Sequence, residues 1–199
     1  MTPAACLPIK EGDRVLDLCA APGGKATELA AKLRGTGVLV ANDISNSRAK
    51  ALLKNLELFG AGNILVTSET PERLLNYFEG WFDKILVDAP CSGLGIIRKK
   101  PEIRYKKADE LFALPVVQTA ILENAGRYVK PGGLLLYSTC TILPEENGQV
   151  TDEFLAGHPD FRRESFALPV GEVPEGQITL WPQRQGTDGF YICRMRKAT

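Results

Sequence analysis

With 199 residues, 44% of them hydrophobic and 24% charged, the chain has the make-up of a soluble globular protein large enough to bury its own core. Lys plus Arg and Asp plus Glu both number 24, so overall charge makes no case for nucleic-acid binding, and any such case must be local. A single histidine, five cysteines without a CxxC pair, no apolar run of transmembrane length and a start (MTPAACLPIKEG) unlike a signal peptide argue against a zinc site, a membrane span and export, so the cysteines read as reduced cytoplasmic thiols.

Residues 1–12, with Pro3 and Pro8, form a lead-in. The run Val15-Leu16-Asp17-Leu18 predicts a buried strand that stops at Cys19-Ala20-Ala21-Pro22-Gly23-Gly24, small residues that permit a tight turn. Residues 25–33, with Leu29 and Leu33 four apart, predict a helix. Strand, glycine turn and helix are the first unit of a nucleotide-binding α/β domain. The glycines admit a ligand close to the backbone, and the helix start offers unpaired N–H groups. Neither GxGxxG nor GxxxxGK[ST] occurs, and a second strand at 37–42 runs into Asp43, an acid about 20 residues past the glycines and suited to ribose hydroxyls. An adenosine-type ligand without a bound polyphosphate fits, S-adenosylmethionine first; a plain βα turn of another α/β fold is the alternative.

A helix at 45–59 follows, with Ser45 as its cap and Ala49, Leu52, Leu53 and Leu56 as its apolar stripe. Strands are expected at 63–67 and 82–88, with a short helix at 71–78 between them. The second of these strands ends abruptly at Ala89-Pro90-Cys91-Ser92-Gly93. Residues 94–107 are basic, and a long helix at 108–129 is bent or divided by Pro115. Lys130-Pro131-Gly132-Gly133 should break the chain before a buried strand at 134–138. A helix at 144–156, loops marked by Pro169, Pro174 and Pro182, and a closing strand at 189–195 complete the order. Alternating strands and helices indicate a mostly parallel sheet covered on both faces, in a single domain, with the last strand returning along the edge as an antiparallel one.

In such sheets ligands bind outside the carboxyl ends of the strands. Those ends carry Cys19, Asp43, Ser68-Glu69, Asp88 to Cys91 and Ser138 to Thr141, so three of the five cysteines share one rim. Cysteine is often just a small buried hydrophobe. Cys6 and Cys193 are read that way, and Cys19 as packing under the glycine turn. Cys91 and Cys140 each follow a strand directly, among polar or turn residues, and are candidates for chemistry.

The segments DLCAAPGGK (17–25), DAPCSG (88–93) and YSTCT (137–141) resemble three signature motifs of the Sun family of RNA (cytosine-5) methyltransferases. Glu145-Glu146-Asn147 and Asp188-Gly189-Phe190 match in place and order, and residues 93–105 are similar to the bacterial branch that acts on small-subunit ribosomal RNA. The resemblance implies a Rossmann-like class I S-adenosylmethionine-dependent methyltransferase fold, with RNA as partner and neither metal nor membrane. Cytosine C5 is a poor nucleophile until a thiolate adds at C6, and a free thiol is only a few per cent ionised at neutral pH, so its surroundings must help.

The resemblance assigns the attack to Cys140, assistance in C5 proton loss and product release to Cys91, and the cytosine N3 edge to Asp88; spacing alone does not say which cysteine attacks. It implies cofactor contacts at Cys19, Ala20, Ala21, Pro22, Gly23, Gly24, Lys25, Asp43 and Asp88. Where relatives carry Gly-Asp-Ala near the adenine, this chain has Thr67-Ser68-Glu69-Thr70. Glu69 is either a longer-reaching replacement or an ordinary loop glutamate. Lys25 is read as fixing the loop or facing the cofactor, and His158 as a helix end.

Arg98, Lys99, Lys100 and Arg104, in a run that continues to Lys107, form a solvated face on the bland reading. Their place beside the Cys91 loop favours RNA phosphates. The separate RNA-binding domain usual in relatives is not found ahead of the first strand, so weak and unselective RNA binding is expected. Two other readings stand: a methyltransferase for another substrate such as DNA cytosine, against which the Thr-Cys motif speaks, and a catalytically silent RNA-binding or ribosome-assembly factor.

Overall fold

The short apolar runs of the first half become parallel strands because each is followed by an amphipathic helix that carries the chain back across the sheet. The computed structural model describes residues 3–169 and 171–199, so Met1 and Thr2 of the lead-in lie outside the described residues. Strands β1 (Arg14–Asp17), β2 (Val38–Asn42), β3 (Ile64–Thr67) and β4 (Phe82–Asp88) alternate with helices α1 (Gly24–Leu33), α2 (Asn46–Phe59) and α3 (Pro71–Phe78). Helices α4 (Ala108–Phe112) and α5 (Leu114–Tyr128) lead into β5 (Val129–Thr139), and α6 (Gly148–Gly157) follows. The remainder holds β6 (Phe161–Arg163), β7 (Phe166–Leu168), β8 (Gly171–Val173), β9 (Gln177–Leu180), the short helix α7 (Pro182–Gln185) and β10 (Phe190–Lys197).

The main sheet runs β3-β2-β1-β4-β5-β10-β6, with the first five strands parallel and β10 antiparallel to β5. Strand order reverses between β1 and β4, which opens a crevice at their carboxyl ends. Side chains alternate across the sheet, so β5 sends Leu134 and Leu136 into one core and Leu135 and Tyr137 into the other. Leu29, Leu33, Leu52 and Leu56 of α1 and α2 fill the first core; Leu74, Leu122, Tyr128 and Phe154 of α3, α5 and α6 fill the second. At about 1.5–3 kcal/mol per fully buried large apolar side chain, these two faces hold the sheet against its conformational entropy.

Pro115 divides the long helix as expected: α4 ends at Phe112, and Pro115 sits in the first turn of α5, where its missing N–H costs nothing. Three expectations need correction. The 130–133 stretch is not a break; β5 begins at Val129, directly after α5, and absorbs it through a register irregularity opposite Phe82–Lys84. Ser45 occupies the cap position of α2 without capping it, because its hydroxyl pairs with Ser47 Oγ at 3.0 Å. The antiparallel edge is broader than one strand: β10 is flanked beyond β5 by β9 at residues 190–193 and by β6 at 195–197. Among the described residues no helix is long and apolar enough to cross a membrane.

Candidate active site

At the foot of the crevice, the β1–α1 turn needs glycine at Gly23. Its φ of 117° belongs to the region that favours glycine, and a Cβ there would lie 3.2 Å from Leu52 Cδ1. At Gly24 a Cβ would meet nothing within 4 Å, so the helix start opens onto free space. Arg48 ties this turn to the end of β2, donating to Ala21 O at 2.9 Å and pairing with Asp43 at 3.2 Å. The other oxygen of the buried Asp43 accepts the N–H of Ser45 at 3.0 Å.

Asp17, at the end of β1, has no exposed surface, and neither carboxylate oxygen has a hydrogen-bond partner. Burial first, then the Asp88 carboxylate, push its acid up to about 8, with Lys25 opposing. Held protonated near neutral pH, the acid is poised to ionise when a cationic ligand supplies the missing charge. S-adenosylmethionine carries an ammonium and a sulfonium group, so the acid-rimmed turn of Asp17, Asp43 and Asp88 fits it. The third-strand loop is pinned by Asn42, whose Oδ1 accepts from Thr67 Oγ1 at 2.8 Å and from the Glu69 N–H at 3.0 Å. The Glu69 carboxylate itself pairs with Arg73 at 3.3 Å.

Asp88 ends β4 with both oxygens engaged. Lys25 Nζ lies 2.7 Å from Oδ2, and the Ser138 hydroxyl donates to Oδ1 at 2.8 Å. Burial works against the Lys25 ammonium, but the Asp88 carboxylate outweighs it and holds the lysine above its ordinary value. Lys25 thus joins the first and fourth strand ends.

Cys91 and Cys140, which are 49 positions apart in the chain, bring their sulfurs to 3.2 Å; both are free thiols and partly accessible. The Cys140 N–H donates to Cys91 Sγ at 3.3 Å, and either sulfur can donate in the contact between them. That contact lowers the Cys140 thiol below the ordinary cysteine value, against burial and the Asp88 carboxylate and with help from Lys25. The same contact, with burial, drives Cys91 upward. The contact thus favours a single thiolate on the pair, and its direction puts that charge on Cys140.

The two loops close on each other through backbone. Gly95 N–H donates to Cys140 O at 3.0 Å and Gly189 N–H to Gly95 O at 2.8 Å, a packing in which a Cβ on Gly95 would sit 2.1 Å from Gly189 O.

Of the basic run, Arg98, Lys100 and Arg104 are exposed, while Lys99 pairs with Asp188 at 2.5 Å. Lys106 turns inward to donate to Ser92 O at 2.8 Å. Arg98, Lys99, Thr187 and Asp188 help line a cleft of about 260 Å³. Cys19 is partly accessible, like Cys91 and Cys140, but its thiol is raised by desolvation and by Asp17; Cys6 and Cys193 are buried, in keeping with packing roles. His158 ends α6, with Nδ1 2.9 Å from Phe154 O and Nε2 3.2 Å from Glu123.

Sequence reasoning passed over Asp17, Asn42, Ser92, Gln118, Thr141, Glu146 and Asn147 as working residues. Gln118 could have been found, because it interrupts the apolar spacing Leu114, Leu122, Ala125 on the buried face of α5.

Residues 4–196 match the family described as 16S rRNA methyltransferase RsmB/F. The chain is 38% identical to the probable ribosomal RNA small subunit methyltransferase B of Bacillus subtilis, over 99% of this chain and 46% of that protein. It is also 38% identical to the ribosomal RNA small subunit methyltransferase F of Aeromonas hydrophila, over 97% and 42%. The crystal structure of NSun6 from Pyrococcus horikoshii with SFG superposes with a TM-score of 0.87 at 30% identity, over 99% of this chain and 51% of that one. An S-adenosylmethionine-dependent O-methyltransferase from Thermotoga maritima, at 17% identity and a TM-score of 0.62, shares the fold. The chain spans less than half the length of the two curated relatives. The architecture is thus the Rossmann-like one of S-adenosylmethionine-dependent methyltransferases, and the chain belongs to the RsmB/F family of 16S rRNA methyltransferases.

Proposed function

We propose that this chain binds S-adenosylmethionine at the β1–α1 turn and transfers its methyl group to C5 of cytosine in RNA, with small-subunit ribosomal RNA as the substrate class. The observation that carries the reading is the pair of free thiols 3.2 Å apart, one lowered and one raised. The cofactor supplies an electrophilic methyl group. Asp17 and Asp43, with residues 19–25, would hold it at the turn, with Glu69 on the loop after β3 as a candidate contact for the adenine.

Cys140 Sγ adds to cytosine C6, forming the S–C6 bond and moving electron density onto C5. Asp88, oriented by Lys25 and Ser138, faces the N3 edge, where as a carboxylate it accepts from the neighbouring amino group. Once C5 carries the methyl group, the C5 proton passes to solvent with the Cys91 thiol assisting, and its C–H electron pair becomes the C5–C6 double bond. The S–C6 bond then breaks and its electron pair returns to Cys140 as thiolate, which restores the aromatic ring. Arg98, Lys99, Lys100 and Arg104 flank the thiols and contact phosphates. Two free thiols in contact require a reducing compartment, the cytoplasm. The described residues form one methyltransferase domain.

Incubation with methyl-labelled S-adenosylmethionine and unmodified small-subunit ribosomal RNA tests the reading. Label on cytosine C5, lost with Cys140→Ala, is the expected result. Label on any other atom, or transfer that survives Cys140→Ala, contradicts it. Cofactor binding without transfer to RNA at high protein concentration would favour the silent assembly factor.

A further inference from the structure

Behind the two thiols lies a layer of polar side chains with no route to a substrate. Gln118, fully buried on α5, donates from Nε2 to Pro90 O at 2.9 Å, the carbonyl just before Cys91. Glu146 Oε2 accepts the N–H of Ser92 at 2.9 Å, just after Cys91, and also accepts from Gln118 Nε2 at 2.8 Å. One pair of side chains therefore grips the backbone on both sides of Cys91. Asn147 holds the residues on either side of Cys140, one through its side chain and one through its backbone: its Oδ1 accepts from the Thr139 hydroxyl at 2.5 Å, and its Nδ2 donates to Thr141 O at 3.2 Å. The Ser92 and Thr141 hydroxyls, 2.7 Å apart, tie the residue after one thiol to the residue after the other.

This layer is a poor choice for stability. Glu146 Oε1 and Gln118 Oε1 are buried and make no hydrogen bond, which costs about 1–3 kcal/mol for each such group. Apolar packing would fill the same space more cheaply. What hydrogen bonds add is direction. They fix the peptide planes from which each thiol projects, and a misplacement of about 1 Å at a reacting group costs on the order of a hundredfold in rate.

We infer that Gln118 and Glu146 are positioning residues for Cys91, and Asn147 is the positioning residue for Cys140, two separate clamps joined by the Ser92–Thr141 bridge. The assignment rests on the reading that Cys140 attacks and Cys91 serves release. The clamps then have opposite signatures. Loosening the Cys91 clamp leaves attack in place and slows release, so a covalent protein–RNA adduct accumulates. Loosening the Cys140 clamp removes adduct and methyl transfer together.

The test uses the full chain carrying Gln118→Met, Glu146→Ala, Glu146→Gln, Asn147→Leu or the milder Asn147→Asp, with Cys91→Ala and Cys140→Ala as references. Adduct with unmodified small-subunit ribosomal RNA is read on denaturing gels, and iodoacetamide labelling of each cysteine is read by mass spectrometry without RNA. Gln118→Met and Glu146→Ala should build up adduct as Cys91→Ala does, and should raise the Cys91-to-Cys140 labelling ratio by about fivefold as the loosened thiol gains exposure. Asn147→Leu should abolish adduct and lower that ratio, with Asn147→Asp intermediate. Glu146→Gln keeps an acceptor for the Ser92 N–H and should lie nearer wild type than Glu146→Ala.

A ratio that stays constant, or moves the same way in both clamps and tracks only the melting temperature, overturns the inference. If Cys91→Ala builds no adduct, the proposed reaction fails, while the labelling ratios still decide the clamps.

Discussion

The two sides of the crevice are built on opposite principles. On the cofactor side, Asp17 is buried with nothing bonded to either oxygen, at the foot of a glycine turn whose helix start faces open space. On the thiol side, the residues flanking Cys91 and Cys140 are bonded from behind by Gln118, Glu146 and Asn147. A cofactor brings its own positive charge and needs only a complementary field. A thiol that must attack one carbon needs its direction set before the substrate arrives. Lys25 belongs to both sides, rooted in the turn and bonded to Asp88 at the thiols.

The sharpest way to break this contrast is at that junction. Lys25→Met removes the partner of Asp88 Oδ2, and Asp88→Asn replaces the carboxylate itself. Each should lower methyl transfer by on the order of a hundredfold or more, an effect typical of removing one oriented electrostatic group. Single-turnover transfer measures it, and a loss below about threefold would show that the two sides work independently.

Asp17 sharpens the cofactor half. Its acid is raised from about 3.8 to about 8 on folding, so the folded chain holds that proton more tightly than the unfolded one. The associated stability is complete below about pH 4 and is lost as pH rises toward 8. Asp17→Asn should therefore melt higher than wild type at pH 8, by about 4 °C or more, and match it near pH 4, while binding cofactor less tightly. Equal melting temperatures at pH 8 would mean that the carboxylate finds a partner.

On the thiol half, Cys140 is lowered chiefly by its contact with Cys91, so its labelling rate should rise with pH through a midpoint below that of an ordinary thiol. Cys91→Ala should move that midpoint upward. An unchanged midpoint would assign the lowering to Lys25. The smallest effect belongs to Glu69, whose carboxylate is half-exposed and paired with Arg73. Glu69→Gln should weaken cofactor binding by no more than about threefold, since exposed pairs contribute little. Loss beyond about tenfold would make it the adenine ligand outright.

The parallel half was open to sequence reading because its strands are short apolar runs closed by glycine, proline or an acid, as at Leu16-Asp17, Asn42-Asp43 and Val87-Asp88. Motif and strand-end logic also put Cys91, Cys140 and Asp88 on one rim, where the structure joins the thiols at 3.2 Å. The stretch after Pro159 was not open, because β6 to β9 are three or four residues each, too short to show a period, and gain their identity by pairing with β10 or with each other. The clamps escaped for a different reason. Glu146 and Asn147 stood in a matched motif, but what they and Gln118 hold did not show: apart from the Thr139 hydroxyl, the flanking groups are backbone carbonyls and an N–H, which leave no trace in residue identity.

The account turns on which sulfur bonds to the base. Digesting the covalent protein–RNA adduct of the Cys91→Ala chain, and of wild type trapped with 5-fluorocytosine RNA, and locating the nucleotide by mass spectrometry decides it. A cytosine carried on the peptide that contains Cys140 is the predicted result; in the trapped wild type, a cytosine on the peptide that contains Cys91 would contradict the account.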